Sequence, residues 1–241
     1  MGHNKRDLQW DRQLNIQTVG RDDSGADAYH HPYEPTPYAV LERLAESGYI
    51  DRDSVVVDYG CGKGRVGFFL HNRMGCRTIG IEYDERIFLQ AVQNQTTYVG
   101  CCASKSYDAA GKKDYRLEGY KGYGIGDNIG DYAKKPEFLC VNAAEYDPQA
   151  ADCFYFFNPF AVEVLHSVLA GILDSYYEDP RTMRLFFYYP DDEYVAYLMA
   201  GGAGTEMLDF VDEIDCQDLF RGKNNRERIL IFEIAGVAEA F

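Results

Sequence analysis

The chain has 241 residues, 46% of them apolar, which is enough for one sizeable core and favours a single domain with additions over two domains. Its 24 Lys and Arg against 39 Asp and Glu leave a formal charge of -15, which repels phosphate backbones and anionic membrane surfaces, so nucleic acid is disfavoured as a partner. Seven cysteines without a C-x-x-C pair argue against a disulfide framework and for a reducing cytoplasm, while the polar start MGHNKRDLQW and the lack of a long apolar run predict neither signal peptide nor membrane span.

Residues 1–32 are polar, and GRDDSGADAYHH reads as a loop, so this arm is expected at the surface or folded over a site. Residues 33–241 then read as one domain. In EPTPYAVLERLAESG, Thr36 is the candidate cap, Pro37 takes the first helical position, Val40, Leu41 and Leu44 form the apolar stripe, and Gly48 ends the helix. SVVVDYG follows as a strand, GRVGFFLHNRM as a helix, RTIGIEY as a strand and DERIFLQAVQNQ as a helix. Residues 103–136, rich in Gly, Tyr and Lys, lack a clear period; they read either as a mobile insertion or as a tyrosine-bearing lid. The alternation resumes with EFLCV and DCFYFFNP as strands, AVEVLHSVLAGILDSYY as a helix and MRLFFYYP as a strand. EMLDFVDEIDC and ERILIFEIAG, separated by a turn-prone stretch containing RGKNN, predict an antiparallel pair closing the sheet edge. Apolar strands alternating with amphipathic helices imply an α/β fold, a mainly parallel, doubly wound sheet with helices on both faces.

In such a sheet a ligand lies beyond the carboxyl ends of the strands, with the first strand-to-helix turn as its floor. Residues 58–64, DYGCGKG, occupy that turn. Two patterns overlap there. Gly62, Gly64 and Gly67 fit the G-x-G-x-x-G of dinucleotide enzymes, whereas Asp58, Gly60, Gly62 and Gly64 fit D-x-G-x-G-x-G. Gly67 lies one turn into the helix and is expected to permit close helix–sheet packing. Glu82, at the end of the second strand and about 20 residues beyond the glycines, is placed to accept the hydroxyls of an adenosine ribose. Asp58 separates the alternatives, because an acidic residue beside a helix N-terminus repels a pyrophosphate but favours the ammonium and sulfonium of S-adenosylmethionine.

On these residues the chain resembles the class I S-adenosylmethionine-dependent methyltransferases. DYGCGKG is similar to that family's first motif and GIEYD to its ribose-binding second, with Tyr83 beside Glu82. CVNAAEYD resembles the segment after the third strand, which implies that Asn142 meets the adenine edge with Ala143 next to it. FYFFNPF resembles the fourth-strand motif facing the acceptor, and PYEPTPY, which ends at Tyr38, resembles a loop that walls the methionine end. The resemblance implies a seven-stranded Rossmann-like sheet with an antiparallel last strand. It also implies S-adenosylmethionine as cofactor, held by Tyr38, Asp58, Gly60, Cys61, Gly62, Gly64, Glu82, Tyr83, Asn142, Ala143 and Asn158.

Transfer of the activated methyl group needs mainly alignment. Asn158 offers an amide oxygen to an acceptor N–H, Pro159 a free backbone carbonyl, and Phe160 a stacking surface. This set resembles the Asn-Pro-Pro-aromatic motif of enzymes that methylate planar amino groups, with one proline instead of two. The acceptor is then a small molecule or a protein side chain. Tyr188, Tyr189, Asp191 and Asp192 follow the fifth strand, where an acidic rim suits a cationic acceptor. Two alternatives remain at this level: an NAD(P)-dependent oxidoreductase, and a non-catalytic S-adenosylmethionine-binding protein. His3, His30, His31, His71 and His166 show no metal-ligand spacing, and Lys63 lacks the context of a P-loop.

Overall fold

The computed structural model describes residues 5–24, 31–100, 106–107, 113–114, 135–201, 204–222 and 224–235. The chain runs α1 (Lys5–Leu14), α2 (Tyr38–Glu46), β1 (Val55–Tyr59), α3 (Arg65–Met74), β2 (Arg77–Glu82) and α4 (Glu85–Thr97). Two short strands, β3 (Ser106–Tyr107) and β4 (Lys113–Asp114), pair with each other antiparallel. Then come β5 (Glu137–Cys140), β6 (Cys153–Phe156), α5 (Val162–Glu178), β7 (Met183–Tyr188), α6 (Asp192–Met199), β8 (Asp209–Asp215) and β9 (Arg228–Ile234).

Seven strands form one sheet in the order β5-β2-β1-β6-β7-β9-β8. The first five in that order are parallel, and β9 lies antiparallel between β7 and β8. The doubly wound sheet with an antiparallel last strand is therefore the one expected. Its inner strands are apolar on both faces because both are covered, whereas the edge strand β8 is exposed and acidic; in the inner strands the two-residue period sorts the side chains. Phe154, Phe156, Leu185 and Phe187 join the cluster beneath α5 and α6, while Cys153, Tyr155, Phe186 and Tyr188 join the cluster that holds residues of α1, α2 and α3. Strand order reverses at β1, which pairs with β2 on one side and β6 on the other, and the ends of these strands frame the candidate site.

Two local expectations change, and the arm contains an element not expected: α1 carries Trp10 and Leu14, which share one face, into the second cluster. Thr36 does not cap α2. Pro37 stands at the cap position without a side-chain bond, and the Thr36 hydroxyl instead lies 3.1 Å from the Tyr155 hydroxyl. Gly67 does not require a glycine for packing, since an added Cβ would stand 3.4 Å from Thr78, an ordinary contact. Most of the 103–136 insertion, and with it the lid reading, lies outside the described residues.

Candidate functional site

Beyond the carboxyl ends of β1, β2 and β6 the chain leaves a cleft with about 970 Å³ of empty space, part of it open to solvent. Asp58, Gly60 and Cys61 form its floor; Glu82, Tyr83, Asn142 and Ala143 line one side; Phe157, Asn158, Pro159 and Phe160 line the other. Of the proposed cofactor residues, Asp58, Gly60, Cys61, Glu82, Tyr83, Asn142, Ala143 and Asn158 line the cleft together with the fourth-strand motif, whereas Tyr38, Gly62 and Gly64 lie outside its lining. Residues 31–36, where the arm joins the domain, complete the wall.

The floor is a turn that satisfies its own backbone. The Gly60 and Cys61 N–H groups both donate to the Ile81 carbonyl at 2.9 Å, and the Cys61 carbonyl accepts from the Gly64 N–H. The Cys61 N–H is therefore committed within the turn, while its carbonyl keeps a second lone pair; burial pushes its thiol pKa upward, away from a reactive thiolate. Gly60 and Gly62 have φ of +74° and +56°, in the left-handed region, and both are also tightly approached. A Cβ on Gly60 would stand 2.4 Å from the Pro159 side chain, and one on Gly62 would stand 2.2 Å from the Tyr33 ring. Gly64 packs in the same way against Phe138 and Phe68. These glycines bring the fourth-strand motif and the arm onto the turn, a packing role that the motif pattern does not reveal.

Two carboxylates dominate the electrostatics. Glu82 ties the turn to the strand end: Oε2 accepts from the Gly62 N–H at 2.9 Å, and Oε1 from the N–H groups of Tyr83 and Asp84 at 2.9 Å each. Burial raises its pKa, and these three bonds oppose the rise. A carboxylate has about four acceptor sites, so a single further hydrogen bond completes it. Asp58 is 4% exposed, and its Oδ2 has no hydrogen-bond partner among the described residues. Burial, then the charge of Glu82, pushes its pKa up to about 8. A buried carboxylate without a partner favours a proton or a cationic ligand.

Asn142 caps the 3₁₀ turn Ala143–Glu145 by accepting the Ala144 N–H on its side-chain oxygen at 3.1 Å, which leaves its amide N–H₂ for the cleft side. Tyr83 is 56% exposed at the mouth. Asn158 holds a left-handed backbone, φ 39°, donates from Nδ2 to the Tyr189 carbonyl at 2.6 Å, and keeps a buried Oδ1 without a partner among the described residues. The Pro159 carbonyl is not free: the His31 N–H donates to it at 3.3 Å. Phe160 is buried, edge-on to Phe156, and its carbonyl accepts from the Tyr194 hydroxyl.

Tyr38 does not reach the cleft. It is fully buried in α2, donates to Asp11 at 2.7 Å, and lies under the Arg65 guanidinium, 4.4 Å from its ring centre. Tyr188, Tyr189, Asp191 and Asp192 are likewise outside the lining; Asp191 caps α6 by accepting the Tyr194 N–H. Two groups carry weight that local reading of the sequence missed. Tyr33 seats the arm on Gly62 and donates to the Thr18 carbonyl, and Arg65, 2% exposed, donates to Thr18 Oγ1 and the Thr36 carbonyl. Arginine directly before an apolar half-helix, residues 66–70, was the available signal for the second; a lone tyrosine in a loop gave none for the first.

No protein-family model matches the chain. Among curated proteins, a protein-lysine N-methyltransferase of Saccharolobus islandicus is 32% identical over 66 residues, which are 27% of this chain and 41% of that protein. The match thus spans about two-fifths of the relative's length. Among solved structures, a protein proposed to be an RNA methyltransferase, from Pyrococcus horikoshii, aligns over 98% of this chain and 100% of its own at 14% identity, with a TM-score of 0.52. A TehB-like S-adenosylmethionine-dependent methyltransferase from Corynebacterium glutamicum aligns over 97% and 98% at 15% identity, TM-score 0.50. The chain has the class I methyltransferase fold. Among the described residues no helix is long and apolar enough to cross a membrane.

Proposed function

We propose that the protein binds S-adenosylmethionine in this cleft and transfers its methyl group to an amino-bearing acceptor. The observation that carries the cofactor half is the buried, unpartnered Asp58 beside Glu82. Two neighbouring carboxylates in a low-dielectric floor stabilise a cationic ligand and repel a pyrophosphate, which favours S-adenosylmethionine over NAD(P). The fit is direct: Asp58 Oδ2 takes the cationic end, the remaining acceptor site of Glu82 takes a ribose hydroxyl, and Asn142 with Ala143 borders the base. When bound, the cofactor supplies an already activated methyl group.

Asn158 and Pro159 then do the alignment. The Asn158 Oδ1 accepts one acceptor N–H, and the Pro159 carbonyl accepts a second once the His31 N–H gives way, so that the nitrogen lone pair points along the line of displacement. An amide oxygen orients the acceptor without taking its proton, so the nitrogen sheds that proton to water once it has gained the methyl group and S-adenosylhomocysteine is released. The formal charge of -15 supports a protein side chain or small molecule over a nucleic acid as the acceptor. The test is methyl incorporation from isotopically labelled S-adenosylmethionine into a soluble cell extract. Asn158→Ala should lower incorporation by about a hundredfold while leaving the affinity for S-adenosylhomocysteine within about twofold. Unchanged incorporation would remove Asn158 from the acceptor site.

A further inference from the structure

Asn158 and Tyr189 stand just past the carboxyl ends of the adjacent strands β6 and β7, and both are non-glycine residues with left-handed backbones, φ 39° and 51°. Such a conformation persists where surrounding contacts over-determine it. For Tyr189 those contacts come from the residues leading into β9. Its N–H donates to the Arg228 carbonyl at 2.9 Å, and its hydroxyl accepts from Asn224 Nδ2 at 2.7 Å. The Arg226 guanidinium lies 4.5 Å from its ring centre while Nε donates to the Pro190 carbonyl at 3.2 Å and Nη2 to the Tyr189 carbonyl at 3.4 Å. Asn224 Oδ1 in turn accepts the Arg226 N–H at 3.0 Å.

The Tyr189 carbonyl is shared: it accepts from Arg226 and from Asn158 Nδ2. That second bond decides which way the Asn158 amide faces. With Nδ2 held at 2.6 Å from a carbonyl, the flipped amide would set two oxygens against each other, so Oδ1 is the atom left over. Only a planar fork can stack on the ring and reach two successive carbonyls at once, and lysine lacks that geometry.

We infer that Arg226 is a positioning residue: by clamping Tyr189 it holds the Tyr189 carbonyl on Asn158 Nδ2, and so keeps Asn158 Oδ1 oriented for the acceptor. The inference rests on the reading of Asn158 given above and adds a residue remote in sequence that acts through Tyr189.

The test uses the full chain uniformly labelled with ¹⁵N. The Asn158 side-chain amide resonance is identified by its absence from Asn158→Asp, then followed in Arg226→Gln and Arg226→Lys. Labelled methyl incorporation into extract is measured in parallel. Arg226→Gln is expected to shift or broaden the Asn158 amide resonance and to lower incorporation at saturating S-adenosylmethionine by about tenfold, with the KM for S-adenosylmethionine unchanged. Arg226→Lys should keep the fold and recover only part of the rate, and it carries the test if the Gln variant does not fold. An unmoved amide resonance in both variants overturns the inference. A wild-type protein that binds the cofactor yet methylates nothing counts against the reading of Asn158, and the amide resonance decides the positioning claim separately.

Discussion

Beneath α5 and α6, Tyr59, Phe156 and Phe187 stack across three neighbouring strands, with ring centres 5.1 and 4.7 Å apart and planes 9° from parallel. On the opposite face the same strands meet α1, α2 and α3 around a charge. Arg65 is 2% exposed there, next to a buried Asp11 that accepts from the N–H groups of Thr18 and Val19 and from the hydroxyls of Thr18 and Tyr38. The first face is held by apolar area, which is non-directional and tolerates rearrangement. The second buries an apolar cluster of its own and adds to it directional donors and acceptors that fix the arm against the cleft. The face that carries the wall of the proposed cofactor site therefore combines packing with a buried polar network, whereas the layer beneath α5 and α6 is built mainly from packing.

Removing the ring at the β7 end of the stack should have the largest effect on packing. Phe187→Ala leaves a cavity among Phe156, Tyr194 and Phe232 and should cost about 3–5 kcal/mol in denaturant unfolding. Arg65→Met should cost somewhat less, about 3 kcal/mol, because Asp11 keeps four other donors. The two faces should also differ in kind. Adding Asp11→Leu to Arg65→Met should cost less than the sum of the two single changes, since no charge is then left buried alone. Strict additivity would mean that Arg65 and Asp11 do not form one network.

A separate effect is one of pH. Asp58 has its folded-state pKa raised from 3.8 to about 8, so the folded chain holds this proton more tightly than the unfolded chain does. Its contribution to stability is complete below about pH 4 and is lost as pH rises through about 8. Asp58→Asn should remove that part of the pH dependence and raise the melting temperature of the ligand-free protein at pH 8. A variant that melts lower at pH 8 and keeps the wild-type slope would contradict the buried, unpaired state of this carboxylate.

The contrast between the faces also explains what was legible. The strand-to-helix alternation is written in local periodicity, so the strands of the main sheet and the helices α2 to α5 are readable, including the closing antiparallel pair, whereas the shorter α6 was not read. The turn glycines and Glu82 are readable because a close backbone approach and a strand-end carboxylate leave fixed spacings. What was hidden depends on partners distant in sequence. Tyr38 looked like a wall of the cleft but is committed to Asp11, 27 positions away, and Thr36 looked like a cap but meets Tyr155, 119 positions away. Likewise, nothing in the turn-prone stretch before β9 marks Arg226 as a partner of Tyr189.

A calorimetric titration of the purified protein with S-adenosylmethionine, S-adenosylhomocysteine and NAD in parallel tests the central claim most directly. The account predicts saturable binding of the first two and none of NAD, with both affinities reduced in Asp58→Asn. Binding of NAD alone would contradict it, and would turn residues 62–67 into a phosphate loop.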